Sequence, residues 1–125
     1  MSPNIRVMKS YIILPILLLF VVGCSQIKEK HITEISQEDL RDVVLVDVRT
    51  PIEFNEGHLE NSINIDWTGD SFVSEFEKIS KEDTIYLYCR SGRRSANATK
   101  YLGTLGYKNV YNLKGGYIVY SKQED

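Results

Sequence analysis

The stretch Leu87-Tyr88-Cys89-Arg90-Ser91-Gly92-Arg93-Arg94-Ser95 ends an apolar run in a cysteine and follows it at once with three arginines and a glycine. These are the residue types of a nucleophile held in an anion-binding loop. The thiolate is the reactive form of cysteine, and a free cysteine titrates near ~8.5. Loop N–H groups, the positive end of a following helix and the guanidinium groups of Arg90, Arg93 and Arg94 all favour the thiolate, so Cys89 is expected to react at neutral pH. The same field draws in an anionic substrate. A lone cysteine is more often a small buried hydrophobe, but that role calls for neither the arginines nor the glycine.

A strand and a helix must frame this loop. Before it, Thr84 to Tyr88 sets Ile85 and Leu87 against Tyr86 and Tyr88, apolar on both faces, which predicts a buried parallel strand with Cys89 at its carboxyl end. After it, Ala98, Tyr101, Leu102 and Leu105 recur at helical spacing, and Gly106 follows as a cap. Further upstream, Ser36 is placed to cap a short helix through Leu40, with Asp39 in its first turn. Val43 to Val48 reads as a buried strand interrupted by one carboxylate, and Thr50-Pro51 opens a helical turn that Glu56-Gly57 closes. Ser62 to Ile65 reads as a short strand, and Phe72, Val73, Phe76 and Ile79 mark an amphipathic helix capped by Asp70 or Ser71. Asn109 to Leu113 forms the final strand, Gly115-Gly116 a tight turn, and Tyr117 to Lys122 a last short helix. Strands alternate with helices and nothing repeats. The expected class is α/β, a mostly parallel central sheet flanked by helices.

In such sheets ligands gather at the carboxyl ends of the strands. The strand from Val43 to Val48 ends there too, bringing Asp47 and Arg49 near Cys89. Structural roles are expected for both, since a buried carboxylate usually pairs with backbone amides or an arginine. Arg49 and Glu53 stand four apart, a spacing that suits an ion pair on a helical turn. His58 has no second histidine at metal-ligand spacing, so metal binding is unsupported and His58 is read as a packing or hydrogen-bonding residue.

The amino terminus carries a second signal. Arg6 and Lys9 precede an uncharged run from Tyr11 to Val22, and Val21-Val22-Gly23-Cys24 closes it. The run is short for a bilayer span, and a basic start, a short apolar stretch and a small residue before a cysteine resemble a bacterial lipoprotein signal. The resemblance implies cleavage after residue 23, lipidation of Cys24, a tether over residues 24–30 and a domain over 31–125, held on the extracytoplasmic side of the cell membrane. Met8 is an alternative start that keeps Lys9. Without residues 1–23 the remaining 102 residues make one small domain with 13 basic and 17 acidic residues, a formal charge of −4. Nucleic acid is not an expected partner. Once Cys24 is lipidated, Cys89 is the only free thiol, so no disulfide scaffold and no internal resolving cysteine are expected.

Three ordered motifs resemble the single-domain rhodanese family. Asp47-Val48-Arg49 with Glu53-Phe54, then Gly57-His58-Leu59 through Ile63-Asn64-Ile65, is similar to its first signature. Tyr88-Cys89-Arg90-Ser91-Gly92-Arg93-Arg94-Ser95 is similar to its active loop, and Leu113-Lys114-Gly115-Gly116 to its closing motif. The likeness runs from about His31 to Tyr120, where the family commonly has tryptophan.

The resemblance implies a sulfurtransferase that needs no cofactor. Cys89 attacks a sulfane sulfur, keeps it as a persulfide and hands it to a thiophilic acceptor, cyanide in an assay or a small thiol in life. Backbone amides from Arg90 to Ser95 hold the sulfur, while Arg90, Arg93 and Arg94 attract a donor such as thiosulfate or a persulfide. Phosphatase or arsenate reductase activity is the weaker enzymatic reading, because Arg94 lies five positions after Cys89 and related phosphatases use a longer loop. A non-catalytic binding module, or a persulfide carrier or sensor, is the reading from another class.

Overall fold

The computed structural model describes residues 26–124; the proposed signal and Cys24 lie outside them. Five strands form one sheet: β1 (Lys28–His31), β2 (Val44–Asp47), β3 (Ile63–Asn64), β4 (Thr84–Tyr88) and β5 (Asn109–Lys114). Their order is β1-β5-β4-β2-β3, and every pairing is parallel. The helices are α1 (Pro51–Glu56), α2 (Phe72–Phe76), α3 (Arg93–Thr104) and α4 (Gly116–Ser121), with one 3-10 turn at Ile32–Glu34.

Strand alternation divides the core in two. Ile85, Leu87 and Cys89 point to a face packed by Phe72 and Phe76 of α2 and Ala98 and Leu102 of α3. Tyr86 and Tyr88 point to the other, where Ile32, Leu59, Leu113 and Tyr117 gather. With both faces covered, β4 is buried from Ile85 onward, which is why its sequence from that residue on is apolar or aromatic. The α3 helix ends in a Schellman motif: Tyr107 N–H reaches Leu102 O at 3.2 Å, and Gly106 N–H reaches Gly103 O at 3.2 Å with Gly106 at φ +92°.

Three expectations need correction. Residues 28–30 are not tether but most of β1, an edge strand in register with Tyr111 to Leu113. Its charged alternation carries no apolar signature, because an edge strand is stabilised by its ladder on β5 and by lysines lying over Tyr86 and Tyr111. Ser36 to Leu40 forms turns and not a helix. The local bonds that suggested a cap are present, Asp39 N–H to Ser36 Oγ at 3.2 Å and Ser36 N–H to Asp39 Oδ2 at 2.8 Å, but no helix follows them. The α2 helix stops at Phe76, short of Ile79, and Ser71 stands at its start without a side-chain cap bond.

Candidate active site

Cys89 follows the last residue of β4 and is 1% exposed. Its Sγ lies at the base of the turn leading into α3. Gly92 N–H donates to it at 3.1 Å and Ser95 Oγ approaches at 3.4 Å. Burial pushes the thiol's pKa up, but the Ser95 hydroxyl and the N–H groups of Ser95, Gly92 and Ser91 outweigh it, so the net direction is down. The direction is the one expected from the sequence, but its causes are hydrogen-bond donors within the loop and not the guanidinium groups.

Two glycines make this geometry possible. Gly92 has φ +103°, a conformation other residues rarely adopt, and it turns its N–H toward Sγ. Gly116 lies where an added Cβ would run into the carbonyl oxygens of Cys89 and Arg90. That close approach lets the first turn of α4 hold the loop from behind, with Tyr117 N–H on Cys89 O at 2.8 Å and Ile118 N–H on Arg90 O at 3.0 Å. The closing Gly115-Gly116 motif is thus a brace for the nucleophile loop.

The three arginines divide their roles. Arg90 and Arg93 are exposed at the loop mouth, as is Ser91. Arg94 is half-buried and bound through both terminal nitrogens to Glu53 of α1, at 2.7 and 2.8 Å. This pair, reinforced by the Thr50 cap, holds the Glu53 carboxyl down at about 2. The expected Arg49–Glu53 pair does not form. Arg49 turns to Asp47 instead, with Nη2 on Oδ2 at 2.6 Å and Nε on both carboxylate oxygens at 3.0 Å. Asp47 also accepts the Arg49 N–H at 2.9 Å, so the sequence reading of a buried carboxylate shared by an amide and an arginine matches the geometry. Arg49 also donates to Gly57 O at 2.6 Å and lies over the Tyr117 ring, which explains why a four-residue helical spacing lost to a buried, better-satisfied partner. His58 stacks on Phe54 at 3.7 Å and its Nδ1–H donates to Phe54 O at 2.8 Å, a packing role.

Other participants carried no strong sequence signal. Asn64 Nδ2 bridges Asp47 O and Arg49 O at 3.0 and 2.9 Å, fixing the turn after β2. Tyr88 Oη accepts Leu59 N–H at 3.0 Å and meets Ser62 Oγ at 3.0 Å, anchoring the segment before β3. Asn112 of β5, 2% exposed, places Oδ1 2.6 Å from Ser95 Oγ. A polar residue inside the otherwise apolar inner half of β5 was the available clue. A cavity of about 330 Å³ between β1 and α3, lined among others by Gln26, Lys28, Lys100 and Tyr107, lies outside this site. Among the described residues no three His, Cys, Asp or Glu side chains gather to hold a metal ion.

This arrangement suits covalent chemistry at one sulfur: a buried cysteine with an N–H donor turned toward it and exposed guanidinium groups at the entrance. Comparison with known proteins places the chain in a family. The chain is 39% identical over 92 residues to a Schizosaccharomyces pombe protein provisionally named a mitochondrial thiosulfate sulfurtransferase, covering 65% of each chain. It is 37% identical over 84 residues to a sulfurtransferase of Allochromatium vinosum, covering 67% of this chain and 77% of that one. It spans only a quarter of the tRNA uridine(34) hydroxylase of Photorhabdus laumondii, at 35% identity. A solved structure from Staphylococcus saprophyticus superposes with a TM-score of 0.67 at 28% identity, covering 75% of this chain and 93% of that one. Residues 30–123, which take in the sheet from the end of β1 onward, the Cys89 loop and its brace, match the family described as the rhodanese-like domain, and the chain belongs to that family.

Proposed function

We propose that the protein is a sulfurtransferase that carries sulfur as a persulfide on Cys89. The observation that supports this most is the setting of Sγ at the floor of a short loop, with Gly92 N–H donating at 3.1 Å and the Ser95 hydroxyl within reach at 3.4 Å. In the first half-reaction the Cys89 thiolate attacks the sulfane sulfur of thiosulfate or a related donor. The new S–S bond forms as the donor's S–S bond breaks, and the electron pair leaves on sulfite. In the second, the acceptor's lone pair attacks the outer sulfur and the S–S pair returns to Sγ; with cyanide the product is thiocyanate. Arg90 and Arg93 attract the donor anion, and the loop amides hold negative charge on sulfur in both steps.

Phosphatase and arsenate reductase chemistry is the weaker reading, because Arg94 lies five positions after Cys89 and the related phosphatases use a longer loop. Lipidation of Cys24, with the domain on the extracytoplasmic face of the cell membrane, belongs to the same proposal and rests on the run from Arg6 to Cys24. Its partners are then a small sulfur anion or persulfide, a thiol acceptor and the bilayer.

The deciding experiment follows the mass of the full chain before and after thiosulfate, and again after cyanide. The expected result is a gain of one sulfur atom that cyanide removes and that Cys89→Ser never shows. A folded, reduced protein that gains no sulfur from thiosulfate or an organic persulfide would favour the binding module. Recovery of Cys24→Ala in the soluble fraction, with wild type in the membrane fraction, tests the anchor; wild type in the soluble fraction sinks it.

A further inference from the structure

We propose that Asn112 is a positioning residue that competes with Cys89 for the single hydroxyl proton of Ser95 and thereby sets the acidity of the nucleophile. Cys89, Ser95 and Asn112 are all at most 2% exposed, so no bulk water settles the contest. Three acceptors surround the one Ser95 proton: Asn112 Oδ1 at 2.6 Å, Gly92 O at 3.2 Å and Cys89 Sγ at 3.4 Å. The amide orientation of Asn112 follows from its other contacts. Its Nδ2 faces Gly92 O at 3.3 Å and Glu29 Oε2 at 3.5 Å, and a flipped amide would set oxygen against both of those acceptors. Oδ1 has no proton to give, so Ser95 donates to it at the shortest of the three distances.

With its proton on Asn112, Ser95 turns a lone pair toward Sγ. That suits a thiol, whose S–H can donate to Oγ, and does not suit a thiolate. Ionisation of Cys89 therefore requires the hydroxyl to rotate from Oδ1 to Sγ, which strips a buried carbonyl of its donor. Asn112 keeps the thiol less acidic than the loop alone would make it. This inference deepens the sulfur-transfer reading, on which its functional weight rests: a less acidic thiol gives a stronger nucleophile for loading, and the rotated hydroxyl then stabilises the thiolate that leaves during discharge.

Charged groups face Cys89 from several elements. They are Arg90 and Arg93 at the loop mouth, Arg94 paired with Glu53, Asp47 paired with Arg49, and Glu29 on β1. Alkylation of the Cys89 peptide by iodoacetamide, in the full chain as a function of pH, reads the thiol without any sulfur transfer. Asn112→Leu is expected to move the midpoint down by about one unit, a tenfold gain in thiolate fraction below it. Ser95→Ala is expected to move the midpoint up, and Asn112→Leu added to Ser95→Ala is expected to change nothing more. A midpoint that stays or rises in folded Asn112→Leu, or a downward shift that persists without the Ser95 hydroxyl, overturns the assignment. If Asn112→Leu does not fold, Asn112→Asp decides: its stronger acceptor should raise the midpoint, by less when Ser95 is alanine, and an unmoved midpoint overturns the assignment. Shifts as expected in a protein that takes no sulfur would remove the sulfur-transfer reading and leave Asn112's role standing. Sulfur loading with unmoved midpoints would do the reverse.

Discussion

Arg94 donates from Nη1 to Glu53 Oε1 at 2.7 Å and from Nη2 to Oε2 at 2.8 Å, so the loop's last arginine joins α3 to α1 and is not a free charge awaiting an anion. The same bond lowers Glu53 from an ordinary 4.5 to about 2, with burial opposing and the Thr50 N–H and hydroxyl assisting. A carboxyl held low in the fold adds stability that is complete above its unfolded value and is lost as pH falls through the folded one. Thermal unfolding should therefore show a loss of about 2 kcal/mol between pH 4.5 and 2, discounted for partial exposure of the pair. Glu53→Gln should be less stable at neutral pH and should lack this acid slope. An unchanged slope in that variant would assign the acid sensitivity to another group.

Arg93 is exposed at the loop mouth while Arg94 is engaged, so Arg93→Ala should weaken donor capture without harming the fold. Steady-state assays with thiosulfate should show KM raised by roughly two- to tenfold with kcat nearly kept, and the difference should shrink at high salt. A fall in kcat with KM unchanged would place Arg93 in the transition state and not in attraction.

The backbone of α4 and the loop leave no room between them. Gly116→Ala should force the Cys89 and Arg90 carbonyls away from Tyr117 and Ile118, because the added Cβ would collide with both oxygens. The expected cost is about 2 kcal/mol or more, a fall in Tm of roughly 8 °C or more, with slower alkylation of Cys89 in the folded fraction. A normal Tm would mean that the brace yields easily.

Asp47→Asn keeps the shape of the Asp47–Arg49 pair and removes its negative charge, leaving a guanidinium that is 4% exposed with little compensation. Stability should drop by about 3–5 kcal/mol in chemical denaturation. Activity per folded molecule should stay near wild type, since the pair shapes the turn after β2 and does not touch sulfur. A stable protein with lost turnover would contradict that division.

The sequence was most informative where a local pattern and the final environment coincide. Thr84 to Tyr88 reads as a doubly buried strand because β4 sits in the middle of the sheet, and Thr50-Pro51 reads as a helix start because proline suits the first helical position, where the structure adds a capping box between Thr50 and Glu53. It was least informative at β1, whose Lys28-Glu29-Lys30-His31 has no apolar alternation and becomes a strand only because β5 offers it a parallel edge. Ser36 to Leu40 shows the opposite failure, a genuine local cap with no amphipathic helix behind it.

By itself the sequence determined the cysteine–arginine loop, the αβ alternation and the closing glycines, since these depend on residue type and short spacing. Only the tertiary structure decided which charges pair. Arg49 could reach Glu53 or Asp47, and Arg94 could await an anion or bind Glu53; the choice depends on which carboxylate the packed sheet and helices bring within 3 Å. The placement of Asn112 beside Ser95 is of the same kind. Two side chains 17 residues apart meet because β5 lies against β4 and α3 crosses above them, and no local rule encodes that meeting.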